Sequence, residues 1–204
     1  MIGSLAFAAP TTEPQLEAFF VSLGVVALSE IGDKTQLLAM MLAARYRRPV
    51  PIILGIFVAT LFNHTLAGAI GAWVTTVVSA EVLRWMLGLS FLAMAAWVLI
   101  PDKLEAEDAK SVRFGVFGTT VLTFFLAEMG DKTQIATVAL AAKYATMLPV
   151  IAGTTVGMLL ADVPAVLVGS RAATKIPHKL VHAVAAGIFA LLGVLVLFSA
   201  GNPF

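Results

Sequence analysis

The stretch Glu30-Ile31-Gly32-Asp33-Lys34-Thr35-Gln36 returns 98 residues later as Glu128-Met129-Gly130-Asp131-Lys132-Thr133-Gln134. Both copies fall about midway along apolar stretches. A carboxylate at that depth is costly unless it is paired, protonated or in water. On a continuous helix, residues three and four apart share a face. Glu30 and Asp33 then point the same way, Lys34 lies near them and Gln36 borders the face. The second copy repeats this with Glu128, Asp131, Lys132 and Gln134. If the two faces meet, four carboxylates converge with two amides at the margin, the all-oxygen cluster that hard divalent cations such as calcium, magnesium and manganese prefer. Glu30, Asp33, Glu128 and Asp131 are therefore the expected metal ligands. Gln36, Gln134, Thr35, Thr133, Lys34 and Lys132 are candidate further ligands or immediate neighbours.

Charge points to the same chemistry. Four carboxylates and two lysines sum to −2, which one divalent ion would cancel. Without metal the cluster should take up protons, because crowded carboxylates repel one another. Metal and protons then compete for the same oxygens, the physical basis of exchange. Lys34 and Lys132 are placed to tether the acids when metal is absent. Thr35 and Thr133 are placed to hydrogen-bond backbone near the glycines. Gly32 and Gly130 allow either a loosened helix, with carbonyls turned to an ion, or simple close packing. A plainer reading makes Glu30–Lys34 and Glu128–Lys132 neutralising i,i+4 pairs that ease membrane insertion. It leaves Asp33 and Asp131 unexplained.

The elements that must carry these residues are membrane helices. Of 204 residues 60% are hydrophobic and 12% charged, against about 25% charged in soluble domains. So few charges cannot clothe a soluble surface of this size. A net charge of +1 argues against a nucleic-acid partner. The absence of cysteine excludes disulfides, thiolate metal sites and thiol catalysis. Residues 1–14 lack a basic n-region, so no cleaved signal is expected. Spans of about 20 apolar residues are predicted at roughly 16–43, 50–77, 82–100, 114–141, 148–170 and 179–200. Arg45, Arg47, Arg48, Lys103, Lys110, Arg113, Arg171, Lys175 and Lys179 fall on one side and only Arg84 and Lys143 on the other. That bias predicts a cytoplasmic location for the loop after span one, the central linker and the loop after span five, with both termini outside.

One ungapped register also relates Leu42–Tyr46 to Leu140–Tyr144, Pro51 to Pro149 and Gly55 to Gly153. Each half holds three spans, an odd number, so the halves must enter the membrane from opposite sides. The expected fold is all-α: six transmembrane helices as two inverted three-helix repeats. Repeat one covers about 16–100, a cytoplasmic linker 101–113, and repeat two about 114–200. That plan is typical of secondary transporters, with the substrate site where the repeats meet. Gly55-x-x-x-Ala59 and Gly153-x-x-x-Gly157 supply small residues for close helix approach, and are placed to bring the second spans against the motif helices.

These residues resemble the signature of a transporter family that includes Golgi calcium/manganese–proton antiporters of eukaryotes and manganese exporters of bacteria. Members carry two Glu-x-Gly-Asp-Lys/Arg-Ser/Thr motifs, one per three-helix half, and both copies here match fully over a resemblance that covers essentially the whole chain. The resemblance implies export of a divalent cation in exchange for protons, with the motif acids as ligands and no resident cofactor. The compact length is similar to the bacterial branch, implying Mn2+ ahead of Ca2+ and a bacterial inner membrane. Oligomeric state is left open.

Asp162, within span five, corresponds in the repeat to His64, next to Asn63. These three are candidate proton-handling groups beside the metal. The alternative for them is a polar bridge between helices. His178 and His182 are expected to be interfacial. A Mg2+-dependent membrane enzyme acting on a lipid diphosphate is the rival class, but the acids lie mid-span and the basic residues are scattered over loops. No hydrolase triad or phosphate-binding Gly-rich loop occurs, so neither protease chemistry nor ATP is expected.

Overall fold

The computed structural model describes residues 12–100, 114–168 and 178–199, and these form eight helices. The central linker and the basic residues Arg171 and Lys175 lie outside the described residues. The uninterrupted apolar runs fold as expected. Helix α3 (Pro49–Val77) begins on a proline in its first turn, where the missing N–H has no intrahelical partner to lose. Helix α4 (Ala80–Val98) is capped by Ser79. Helix α7 spans Met147–Val168 and α8 spans His178–Phe198. Among the described residues, these four are long and apolar enough to cross a bilayer singly.

The two motif-bearing stretches are not continuous helices: of the two readings of the motif glycines, the loosened helix holds, and the shared helical face of Glu and Asp does not. Helix α1 (Thr12–Glu30) stops at the motif and α2 (Lys34–Tyr46) leaves at 68° to it. Taken together, this bent pair is a fifth candidate span. Helix α5 (Gly115–Glu128) and α6 (Lys132–Tyr144) break at the same motif position. The cause is local. Gly32 and Gly130 sit at φ +87° and +77°, a left-handed conformation that glycine adopts without the cost a Cβ imposes. Asp33 and Asp131 follow in extended backbone as the N-caps of α2 and α6.

Packing crosses between the halves of the sequence. A Cβ on Gly55 of α3 would sit 2.7 Å from the Thr120 side chain of α5. A Cβ on Gly157 of α7 would sit 2.7 Å from the Leu23 carbonyl oxygen and 3.0 Å from the Ala27 nitrogen of α1. The small residues thus seat each half's second long helix against the motif helix of the other half. Gly157→Ala should accordingly force α1 and α7 apart. Overpacking of this kind costs about 1–3 kcal/mol, to be read as a lower melting temperature of the detergent-purified protein. Helices α4 and α8 pack together, with Phe91 against its repeat mate Phe189, ring centroids 6.4 Å apart. Large apolar side chains such as Phe62, Trp73, Leu89, Leu160 and Leu195 are exposed on the outside. So much outward apolar surface suits hydrocarbon rather than water, as a multi-pass membrane protein requires.

Candidate metal centre

The two helix breaks are built alike and face each other. In each, the Asp amide bridges back to the Glu carbonyl, Asp33 to Glu30 at 3.0 Å and Asp131 to Glu128 at 3.1 Å. Opening a helix leaves backbone donors unmet, which is expensive away from water. The motif glutamines meet that need. Gln36 Oε1 accepts from the Gly32 N–H at 2.9 Å, and Gln134 Oε1 from the Gly130 N–H at 2.7 Å. Their amide groups anchor the breaks to the opposite half. Gln36 Nε2 donates to the Ala161 carbonyl of α7 at 3.0 Å. Gln134 Nε2 donates to Asn63 Oδ1 of α3 at 3.5 Å, and Asn63 Nδ2 donates to the Phe125 carbonyl at 3.1 Å. Ala161 and Asn63 are repeat equivalents, so the two clamps correspond.

The threonines act on the acids rather than on freed backbone as expected. Thr35 donates to Glu30 Oε2 at 2.7 Å and Thr133 to Glu128 Oε2 at 3.0 Å. Each bond fixes one carboxylate oxygen. Glu30 Oε1 and Glu128 Oε1 are buried and find no hydrogen-bond partner among the described residues.

The lysines pair across the halves, not with the glutamate four residues earlier. Lys34 Nζ lies 3.0 Å from Asp131 Oδ1, and Lys132 is in close contact with Asp33 Oδ1. Residue i meets j while j's mate meets i's mate, the reciprocity that a two-fold axis imposes. The helix breaks explain why the i,i+4 alternative fails: Glu30 and Lys34 belong to different helices. The pairs are unequal, since the Lys132 side chain is 1% exposed and that of Lys34 23%.

One oxygen each from Glu30, Asp33 and Asp131 can lie within 4.8 Å of one another. The structure brings these three into one group. It does not add Glu128 to that group, although Glu128 is buried within electrostatic reach of Asp131, Asp33 and Asp162. Asp162 is fully buried, with neither oxygen hydrogen-bonded among the described residues, and its charge reaches Glu30 as well. His64 is fully buried with both ring nitrogens unpartnered among the described residues. Asn63 serves as a clamp. Helices α2 and α6 both begin at the cluster, so their positive N-terminal ends favour negative charge there. His182 of α8, read from sequence as interfacial, donates from Nε2 to the Ile31 carbonyl at 2.7 Å. Sequence gave no sign of this contact, because its repeat mate is Arg84.

The sequence is similar to that of known proteins. The family described as divalent cation/proton antiporter GDT1 matches residues 18–106 and 116–203. A Vibrio cholerae protein named "Putative manganese exporter" is 51% identical over 197 residues, covering 96% of this chain and 98% of that one. A Synechocystis GDT1-like protein is 34% identical over 88% of this chain and 96% of its own length. GDT1-like protein 3 of Oryza sativa subsp. indica is 32% identical over 85% of this chain and 71% of its own. No solved structure matches.

Proposed function

The chain belongs to the GDT1 family of divalent cation/proton antiporters, and on that footing we propose that it exports Mn2+, with Ca2+ the second candidate, in exchange for protons by alternating access at the motif acids. It is a transporter, not an enzyme. In this reading Glu30, Asp33, Glu128 and Asp131 hold the metal. The α5–α6 pair is the sixth span, and residues 16–100 and 114–200 form inverted repeats in one transmembrane domain, joined by the 101–113 linker. The basic loops face the cytoplasm of a bacterial inner membrane and both termini face outward.

The observation that carries the proposal is the crossed pairing of Lys34 with Asp131 and Lys132 with Asp33, around acid oxygens that converge within 4.8 Å. In the metal-free carrier the two ammonium groups neutralise the aspartates. An arriving dication takes over those carboxylates and adds Glu30 Oε1 and Glu128 Oε1, which are buried and uncommitted. Protons then compete with the metal for the acids that no lysine neutralises. Asp162, within reach of both glutamates, is assigned to that proton pool. Manganese is favoured over calcium by the name of the 51%-identical relative; the all-oxygen acid set would suit either ion.

The test is flux in reconstituted vesicles. Mn2+ should move only with opposing proton movement, and unlabelled Ca2+ should compete less well than Mn2+. Metal flux indifferent to the pH gradient would overturn the exchange reading in favour of a channel. Asp162→Asn should keep metal binding but shift the pH dependence of exchange. A rate and pH profile equal to the parent's would remove Asp162 from the mechanism.

A further inference from the structure

The two helix breaks differ at the carbonyl that precedes the motif glycine. In the first, a single peptide unit is held at both ends: the Gly32 N–H by Gln36 Oε1 and the Ile31 carbonyl by His182 Nε2 of α8. In the second, the Gly130 N–H is held by Gln134, but no side chain among the described residues reaches the Met129 carbonyl. The residue at the repeat position of His182 is Arg84, whose guanidinium turns to the Ser199 carbonyl at 3.4 Å instead. Met129 is 57% exposed and Gly130 is exposed beside it, whereas Ile31 and Gly32 are half-buried. Beyond the glutamine clamps that both breaks share, the first break is therefore fastened to α8 through its Ile31 carbonyl, and among the described residues the second has no such bond.

We propose that His182 is a positioning residue that latches the first-motif break to α8, keeping the metal site closed on the side from which α8 enters, and that its release is a step of the transport cycle. A carbonyl can only accept, so the His182 ring must present Nε2–H to it. That bond commits the Ile31 oxygen and ties the Glu30–Asp33 turn to α8, which packs on α1 and α4. To open this side, the turn must separate from α8. Arg84 offers no equivalent bond at the second break, so the latch is one-sided, as a carrier with two unlike faces requires. The assignment of that side to the cytoplasm rests on the proposed topology; the latch itself does not.

The chain contains no cysteine, so Ile31→Cys introduces a single thiol next to the latch. Labelling of purified full-length protein by N-ethylmaleimide in metal-free buffer reads its opening directly. With His182 replaced by Phe, which keeps a ring but loses the donor, Cys labelling should be about two- to tenfold faster, the range a neutral hydrogen bond gives. His182→Ala should behave alike. His182→Gln, whose amide can donate, should restore slow labelling. Equal rates in all four proteins would overturn the latch, as would a Gln variant as fast as Phe. Because the readout needs neither metal nor a proton gradient, it separates failure of the latch from failure of the exchange reading: donor-dependent labelling in a protein without Mn2+/H+ exchange would sink only the latter.

Discussion

Mn2+ uptake into everted vesicles should fall to background when Asp131 is replaced by Asn. Two consequences combine in this one change. One of the three convergent acid oxygens loses its charge, and Lys34, held 3.0 Å from it, loses its counter-ion beside the site. The pocket then presents an unneutralised ammonium to an incoming dication. Breaking a buried ion pair from one side costs about 3–5 kcal/mol. Even the lower figure, applied to metal binding, is roughly a hundredfold in affinity. Asp131→Glu keeps the charge but displaces it by one methylene, and should recover part of the uptake at raised Mn2+. Retention of near-parental transport by the Asn variant, with the protein present in the membrane at equal amount, would show that Asp131 is not a ligand and would take the centre apart.

What could be read from the residues and what could not divide along a physical line. The four long helices α3, α4, α7 and α8 match the expected spans within a few residues, because an uninterrupted apolar run of bilayer length has few other ways to satisfy its backbone in lipid. The motif stretches misled for the same reason. Their apolar flanks run on both sides of the acids, so each is long enough for a single helix, and helical spacing then places Glu30 and Asp33 on one face. The acids instead meet around a turn. Its signals were present in the motif: a glycine able to take positive φ, an aspartate suited to start a helix, and a glutamine four residues after the glycine to hold its N–H. Gly32 and Gly130 by themselves allow a loosened helix or close packing, and the neighbouring aspartate and glutamine decide for the break. The crossing of the lysines was beyond local reasoning altogether. Spacing offers Lys34 to Glu30, and only the approach of the two halves offers it to Asp131. His182 was hidden by the repeat itself, since its mate Arg84 has a different partner.

The buried lysine gives the second large effect. Lys132 has a side chain only 1% exposed and is paired with the fully buried Asp33. Replacing it by Met keeps an apolar stem of similar length and removes the charge that neutralises Asp33. By the same one-sided rupture, the metal-free protein should lose about 3–5 kcal/mol of stability. If the lysine stands in for the metal in the empty carrier, Mn2+ should return much of that loss, because a dication in the pocket supplies the missing positive charge. Ligand that binds only the folded state raises stability by mass action. The increment on adding Mn2+ should therefore be larger for Lys132→Met than for the parent. The matching change at Lys34, 23% exposed and so partly neutralised by its surroundings, should show the same pattern at smaller amplitude. Thermal melting of the purified protein with and without Mn2+ measures all of this. A Lys132→Met protein that melts like the parent without metal, or one destabilised equally with and without Mn2+, would mean that the lysine is a structural cation alone and that metal does not take its place.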